Sequence, residues 1–411
     1  MISFEPTEDQ KAMVESVAGF ARSTLRPRIR EFEKERGLSE AVRKTAHELG
    51  LGLVALPESV GGAGLGMRTA VLLEEEVSWG EPSAGFAFGG PGAFGLAVLE
   101  LGTTEQANAA LASFTTDGGH TRFGAVAWGE PKANRERPGF STTATKTDAG
   151  WKLDGTKAYI VNADRAERFV VFAQVDAAAG WRGLGAFLVD RSASGLSILS
   201  RETTLGLDAV SFGGIALAGV VVPESARLLG GADGSQFDAA LVRFFARHAV
   251  IVAARGVGLA RAAFDATREY VDGRRAFGKP IGHFQSVAFT IADRAMDVDA
   301  GRALVWRAAA AWDAFDKGEG DEQECLLRSA QAIAFVHEAA MRCGDDGVQL
   351  HGGAGFMRDY PVEKFMRDAK QLGLCGMTAE HADQLAGAVA VGVAIDPGLV
   401  LPTPETQNAF V

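Results

Sequence analysis

Between Arg367 and Thr378 a guanidinium, a carboxylate, a thiol and a hydroxyl lie within twelve residues: Arg367-Asp368-Ala369-Lys370-Gln371-Leu372-Gly373-Leu374-Cys375-Gly376-Met377-Thr378. Cys375 could touch a substrate from this segment, or pack as a small buried hydrophobe. Gly376, next to it, brings no group able to move a proton. His248 carries an imidazole whose ordinary pKa suits proton transfer, and its plainer reading is a packing or helix-surface histidine. The Arg135-Glu136-Arg137 cluster can take an acidic substrate or stand as a solvated loop. Two other signals fail. Gly61-Gly62-Ala63-Gly64-Leu65-Gly66 lacks the spacing of a dinucleotide-binding turn and follows no clear strand. Cys325, Cys343 and Cys375 are too few and too spread for a disulfide framework or a zinc site, and read as buried thiols in a reducing compartment.

The elements that must position these residues fall into three zones. From Thr7 to about Gly118 apolar and charged residues recur at helical spacing, and Thr7 before Glu8 and Asp9 marks a capped helix start. The stretch Pro57 to Gly64 interrupts those helices. From about Gly119 to Gly230 the runs Phe169–Val175, Ala186–Val189 and Gly219–Val222 read as strands, and Trp151–Lys157 reads as a turn at Asp154-Gly155 between apolar flanks. From Ser235 onward helix returns, with Arg247–Val271 and Phe284–Phe315 both longer than an average helix and apolar at i, i+3, i+4. Strands and helices do not alternate regularly, so a doubly wound parallel sheet is not expected. The expected division is 1–118 helical, 119–230 β and 231–411 a helical bundle, an α+β chain that is mainly α.

Composition narrows the classes of function. The 411 residues suffice for two or three domains, and 47% apolar with 23% charged residues is ordinary for a soluble protein. A net charge of −11 argues against nucleic acid as the main partner. The longest apolar run, Leu385 to Ile395, falls short of the ~20 residues that span a bilayer. The polar, acidic N-terminus is no signal peptide, so the expected location is cytoplasmic.

Five motifs in order resemble the acyl-CoA dehydrogenase family over nearly the full length. Leu51-Gly52-Leu53-Val54-Ala55-Leu56-Pro57-Glu58 with Gly61-Gly62 is similar to an early Gly-Leu…Pro-Glu…Gly-Gly stretch. Leu153-Asp154-Gly155-Thr156-Lys157-Ala158-Tyr159-Ile160-Val161-Asn162 resembles Leu-Asn-Gly-x-Lys-x-Trp-Ile-Thr-Asn. Arg274-Arg275-Ala276-Phe277-Gly278-Lys279-Pro280-Ile281, with Gln285, resembles Arg-x-x-Phe-Gly-Lys-Pro-Ile…Gln. Gln349-Leu350-His351-Gly352-Gly353 and Tyr360-Pro361-Val362-Glu363-Lys364 follow. The Arg367 run resembles the Arg-Asp-Ala…Glu-Gly-Thr loop, with Gly376 where that family often keeps its catalytic glutamate.

The resemblance implies an N-terminal helical domain, a central β-barrel-like domain and a C-terminal four-helix bundle. It also implies FAD lying between subunits, and hence a homodimer or homotetramer. Arg274 would meet the pyrophosphate with two nitrogens at once. Phe277 and Gln285 would contact the dinucleotide of a neighbouring subunit. Gln349, Gly352 and Gly353 would let backbone approach the adenosine half, and Thr378 would cap a helix facing the cofactor. Trp128, Gly129, Tyr159, Ile160 and Val161 would stand against the flavin ring. Arg135, Arg137 and Cys375 are candidate substrate contacts.

The ring end departs from the family pattern. Gly129 replaces a threonine, Val161 replaces another, and Lys132-Ala133-Asn134-Arg135-Glu136-Arg137 replaces Gly-Ala-Gly-Ser-Asp. Some family members place their base on the first long helix of the C-terminal bundle, a position that maps to His248. The expected substrate is an acyl thioester on CoA or on a carrier protein, and the electron acceptor is dioxygen or an electron-transfer flavoprotein. Three readings follow from the missing glutamate. An already activated, ring-containing thioester could be dehydrogenated with use of O2 by an oxidase or monooxygenase. An ordinary dehydrogenase could employ a relocated base. A base-less subunit could assemble into a mixed oligomer.

Overall fold

The structure, a computed structural model, describes residues 5–116, 118–134, 138–229 and 234–393. The first part is helical: α1 (Glu8–Phe20), α2 (Ile29–Glu35), α3 (Glu40–Glu48), α4 (Gly66–Gly80), α5 (Ala84–Ala87), α6 (Gly92–Leu101) and α7 (Thr104–Leu111). Thr7 caps α1 as its sequence predicts, accepting from the Gln10 N–H while the Gln10 side chain returns to the Thr7 N–H. The candidate substrate contacts Arg135 and Arg137 lie outside the described residues.

The middle part is a sheet of β1 (Gly124–Ala127), β2 (Thr143–Thr147), β3 (Gly150–Val161), β4 (Arg168–Gln174), β5 (Leu184–Asp190), β6 (Leu196–Ile198), β7 (Phe212–Val222) and β8 (Arg227–Leu228). Its order is β6-β7-β3-β2-β4-β5-β8, with β1 added in parallel to β4. The apolar run in β4 is buried on both faces. Phe169, Val171 and Ala173 enter the core between the strands, and Val170 and Phe172 enter the helical core.

Two expectations are corrected here. The sheet does not close into a barrel: its path ends at the three-residue β6 and the two-residue β8, and β2 meets β4 only through Thr143 and Gln174. Asp154-Gly155 is not a turn but lies inside the twelve-residue β3, at a register shift against β7. A bulge stands there because Gly155 (φ +147°) lies where an added Cβ would be 2.6 Å from the Thr142 Cα, and the Asp154 carboxylate accepts the Gly219 N–H at 2.7 Å. The two-residue turn falls instead at Asp148-Ala149, between paired Thr147 and Gly150.

The last part begins with α8 (Gly234–Gly273), runs through the small hairpin of β9 (Arg275–Ala276) and β10 (Lys279–Pro280), and continues as α9 (Gln285–Asp316), α10 (Glu322–Leu350), α11 (Val362–Leu372) and α12 (Ala379–Val391). Helix α10 packs against α8, α9, α11 and α12, and α4 of the first part lies along α8. Close approach of α8 requires small residues: a Cβ on Gly258 would stand 2.3 Å from the Glu75 carbonyl, and one on Gly256 2.4 Å from Val336.

One buried charge cluster joins all three parts. Lys364 on α11 reaches Glu81, just after α4, at 2.9 Å and Asp368 at 2.5 Å, while Asp368 also accepts the Leu207 N–H from the sheet region at 2.6 Å. All three side chains are within 1% of fully buried. Burial lifts the Asp368 carboxyl to about 6 despite the ammonium beside it. Lys364→Met leaves two buried carboxylates facing each other, and is expected to lower stability by about 3–5 kcal/mol at pH 7.5. The loss should shrink at pH 5.5, where a carboxyl takes up a proton; urea unfolding followed by tryptophan fluorescence at both pH values checks this.

Candidate active site

Where α4, α6, the start of β1, the end of β3, α8 and the loop before α12 meet, they enclose a cavity of about 600 Å3. Trp128, Gly129, Tyr159 and Val161 stand in its wall from the sheet. His248 comes from α8, and Cys375, Gly376 and Thr378 come from the final loop.

The sheet wall is set by local backbone. A second register shift separates Lys157 from Ile160 in the β3–β7 pairing. Around it Tyr159 (φ +57°) and Asn162 (φ +59°) adopt left-handed backbone, which asparagine tolerates and tyrosine rarely takes. The shift turns Tyr159 outward, 63% exposed at the cavity, while Ile160 is 1% exposed and packs in the sheet core. The side chain of Ile160 therefore faces away from the site where the sequence places it. Asn162 donates to the Phe86 carbonyl at 2.8 Å, and its Oδ1 has no partner although it is buried.

The loop carrying Trp128 and Gly129 is pinned by Lys157. Its Nζ donates to the Trp128 carbonyl at 2.9 Å and to Glu130 at 3.2 Å, and lies 3.3 Å from the Phe140 ring centre. Glu130 in turn accepts the N–H groups of Ser141 and Thr142, both at 2.8 Å. Burial pulls Lys157 down to about 7 against the attraction of Glu130. Trp128 is wedged edge-on between Phe172 and Phe245, at 5.0 and 4.7 Å.

Gly376 is a position built for glycine. Its φ is +71°, and an added Cβ would lie 3.2 Å from Val252 and 3.6 Å from the His248 Nδ1. The His248 imidazole is stacked parallel to Phe244 at 6.0 Å. Burial, helped by the charge of Arg255, lowers its pKa to about 4, so the ring is neutral at neutral pH. Cys375 is also buried, its thiol pushed up to about 12 by desolvation, and holds no thiolate at neutral pH. Thr378 caps α12, accepting the His381 N–H at 3.3 Å.

Descriptions of the acyl-CoA dehydrogenase N-terminal, middle and C-terminal domains match residues 7–117, 125–220 and 237–381. Over 375 residues the chain is 31% identical to the mitochondrial short-chain specific acyl-CoA dehydrogenase of Sus scrofa, covering 90% of this chain and 86% of that protein. The chain belongs to the acyl-CoA dehydrogenase family. Cyclohex-1-ene-1-carbonyl-CoA dehydrogenase of Geobacter metallireducens is also 31% identical, with 89% and 93% covered. Butyryl-CoA dehydrogenase of Megasphaera elsdenii superposes with a TM-score of 0.85 at 27% identity, over 95% of this chain and all of that one.

Acyl-CoA dehydrogenase family members are FAD-dependent oxidoreductases, and the residues present fit that cofactor. The unpaired Asn162 Oδ1 and the strained Tyr159–Asn162 backbone both lie at the cavity. Arg274, Phe277, Gln285, Gln349, Gly352 and Gly353 lie elsewhere, exposed at one end of the C-terminal bundle. There the Tyr270 ring stacks on His351 at 4.0 Å and holds the ends of α8 and α10 together. Phe277 sits at the hairpin tip, 95% exposed with φ +50°. One chain thus assembles the cavity wall and leaves the other six residues on its surface.

Sequence reasoning missed Asn162, Glu74, Arg255 and His381, all of which line the cavity. Arg255 had a legible signal, being the only charge in the apolar stretch Ala249–Ala260, where an unpaired charge cannot be buried.

Lys157→Met should free the 128–130 loop and strand the Glu130 carboxylate, lowering stability by about 3–5 kcal/mol, with loss of bound flavin on gel filtration. His248 binds its proton more weakly folded (about 4) than unfolded (about 6.5), so stability rises with pH across that window and is lost as pH falls through it. In His248→Gln the slope of stability against pH between 4 and 6.5 should flatten by about 1.4 kcal/mol per pH unit, measured by urea unfolding.

Proposed function

We propose that this chain dehydrogenates an acyl thioester whose C–H bond is already acidified by conjugation or a ring, with His248 accepting the proton. The observation that carries this reading is the His248 Nδ1, 3.6 Å from the point where a side chain at position 376 would begin. The imidazole enters the space that the resemblance assigns to a glutamate, and it enters neutral, ready to take a proton. With its pKa near 4 it is a weak base, so it suits a carbon acid more acidic than a saturated acyl chain. Bound FAD supplies the acceptor for the hydride. Phe244 holds the imidazole plane, and the Lys157 clamp keeps the Trp128-Gly129 backbone in the cavity wall.

A ring-shaped acyl group is supported by the walls. Gly90 and Gly92 line the cavity with open space where side chains would begin, so bulk is removed on that side, and Phe86, Phe244 and Phe245 supply flat apolar surface. The Geobacter relative is named for a cyclohexene thioester, which has that shape. Gly129 and Val161 bring no hydroxyl to the ring end, and this apolar wall supports reoxidation by dioxygen. The surface position of Arg274, Phe277 and Gln349 supports a homo-oligomer in which a second copy completes each FAD site.

The test is anaerobic titration of the flavoprotein with cyclohex-1-ene-1-carbonyl-CoA, followed by admission of air. Flavin bleaching is expected in the wild type, slowed by about 10²- to 10⁴-fold in His248→Gln, with substrate affinity within a few-fold. Bleaching at the wild-type rate in that variant sinks the role of His248. Reduced flavin inert to air, but reoxidised by an electron-transfer flavoprotein, rejects dioxygen as acceptor. Protein that purifies without stoichiometric flavin points to the base-less subunit of a mixed oligomer instead.

A further inference from the structure

Arg255 is 7% exposed and faces the cavity, and above it acts only through its charge on His248. Its Nε and Nη2 bind the two oxygens of Glu74 at 2.8 and 3.0 Å, and Nη2 also donates to the Gly85 carbonyl at 3.1 Å. The guanidinium lies over the Phe86 ring at 4.1 Å. Gly85 makes room for the pair, since a Cβ there would stand 2.5 Å from the Glu74 Oε2 and 2.7 Å from the Arg255 Nε. The remaining nitrogen, Nη1, donates to no acceptor among the described residues. His248, Ile251 and Arg255 follow i, i+3, i+7 on one face of α8, which puts Arg255 about 10 Å along the helix from the proposed base.

We propose that Arg255 and Glu74 form a subsite for a neutral oxygen function, a hydroxyl or a ketone, on the part of the acyl group farthest from the thioester. The inference rests on reading the cavity as an acyl-thioester site. The chemistry follows from the pairing. A hydrocarbon terminus would leave the free Nη1 desolvated without an acceptor, which is unfavourable for a charged donor. A carboxylate terminus would meet a guanidinium already neutralised by Glu74 and would be repelled by that glutamate. A hydroxyl satisfies both, accepting from Nη1 and donating to a Glu74 oxygen, and a ketone satisfies Nη1 alone. A pair that only tied α4 to α8 would not need to face the cavity with one nitrogen unused.

The test uses four CoA thioesters with one ring: cyclohexanecarboxyl, 4-hydroxycyclohexanecarboxyl, 4-oxocyclohexanecarboxyl and 4-carboxycyclohexanecarboxyl. Affinity for the flavoprotein is read by calorimetry and by the change in the flavin spectrum. The hydroxyl and oxo thioesters should bind about 10- to 100-fold tighter than the unsubstituted ring, and the carboxyl thioester more weakly than either. In the Arg255→Leu/Glu74→Leu double variant that order should invert in favour of the unsubstituted ring. Equal affinities, preference for the carboxyl thioester, or an unchanged order in the double variant overturns the subsite. The wild-type series decides alone if the double variant does not fold. Failure of all four to bind overturns the thioester reading together with the subsite, whereas binding of all four without discrimination overturns the subsite only.

Discussion

The ammonium of Lys364, fully buried between Glu81 and Asp368, is the contact on which the three parts of the molecule depend. One charge of the wrong sign cannot be left there, because the cluster has no water to screen it. The burden on it is therefore geometric as much as energetic. Glu81 caps the end of α4 in the first helical part, Leu207 belongs to the sheet region, and Lys364 and Asp368 belong to α11, so the three parts must arrive together or leave these groups unpaired. Arg367 repeats the pattern at the rim, bonding Glu33, the Leu205 carbonyl and Glu363. The Arg-Asp pair that stands out in the sequence thus acts as a fastening, and the loop that follows inherits its position from it.

That fastening also fixes the shape of the site. Gly376 lies eight residues beyond Asp368, in left-handed backbone fixed from both sides by α11 and the Thr378 cap. On the opposite wall, Lys157 fixes the Trp128-Gly129 backbone through a carbonyl, so side chains there can vary while the wall stays put. Between these two rigid walls, His248 of α8 and the Arg255–Glu74 pair face the interior.

What the sequence revealed was whatever is carried by repeat and punctuation. The run Phe169–Val175 announced a strand because Phe169 to Gln174 are all buried, on one face or the other, and the alanine-rich stretch after Ser235 announced long helices. The Thr7 cap was legible from the threonine before Glu8 and Asp9, and the Thr378 cap from the family resemblance. Asp154-Gly155 misled because the same dipeptide serves a hairpin and a bulge, and only the Thr142 backbone pressed against Gly155 decides between them. Ile160 misled for a related reason, since the shift after Lys157 reverses which side chains face the cavity. Glu74 and Arg255 are 181 residues apart, and no local pattern records that they meet.

That separation also has a meaning in time. Helix α4 finds its packing surface on α8, which is synthesised some 160 residues later by the difference of their positions. At a ribosomal pace of roughly 5–20 residues per second, the apolar face of α4 waits on the order of 10–30 s for its partner. The first hundred residues therefore leave the ribosome as an unfinished layer, whose face on α4 is covered only once α8 has emerged.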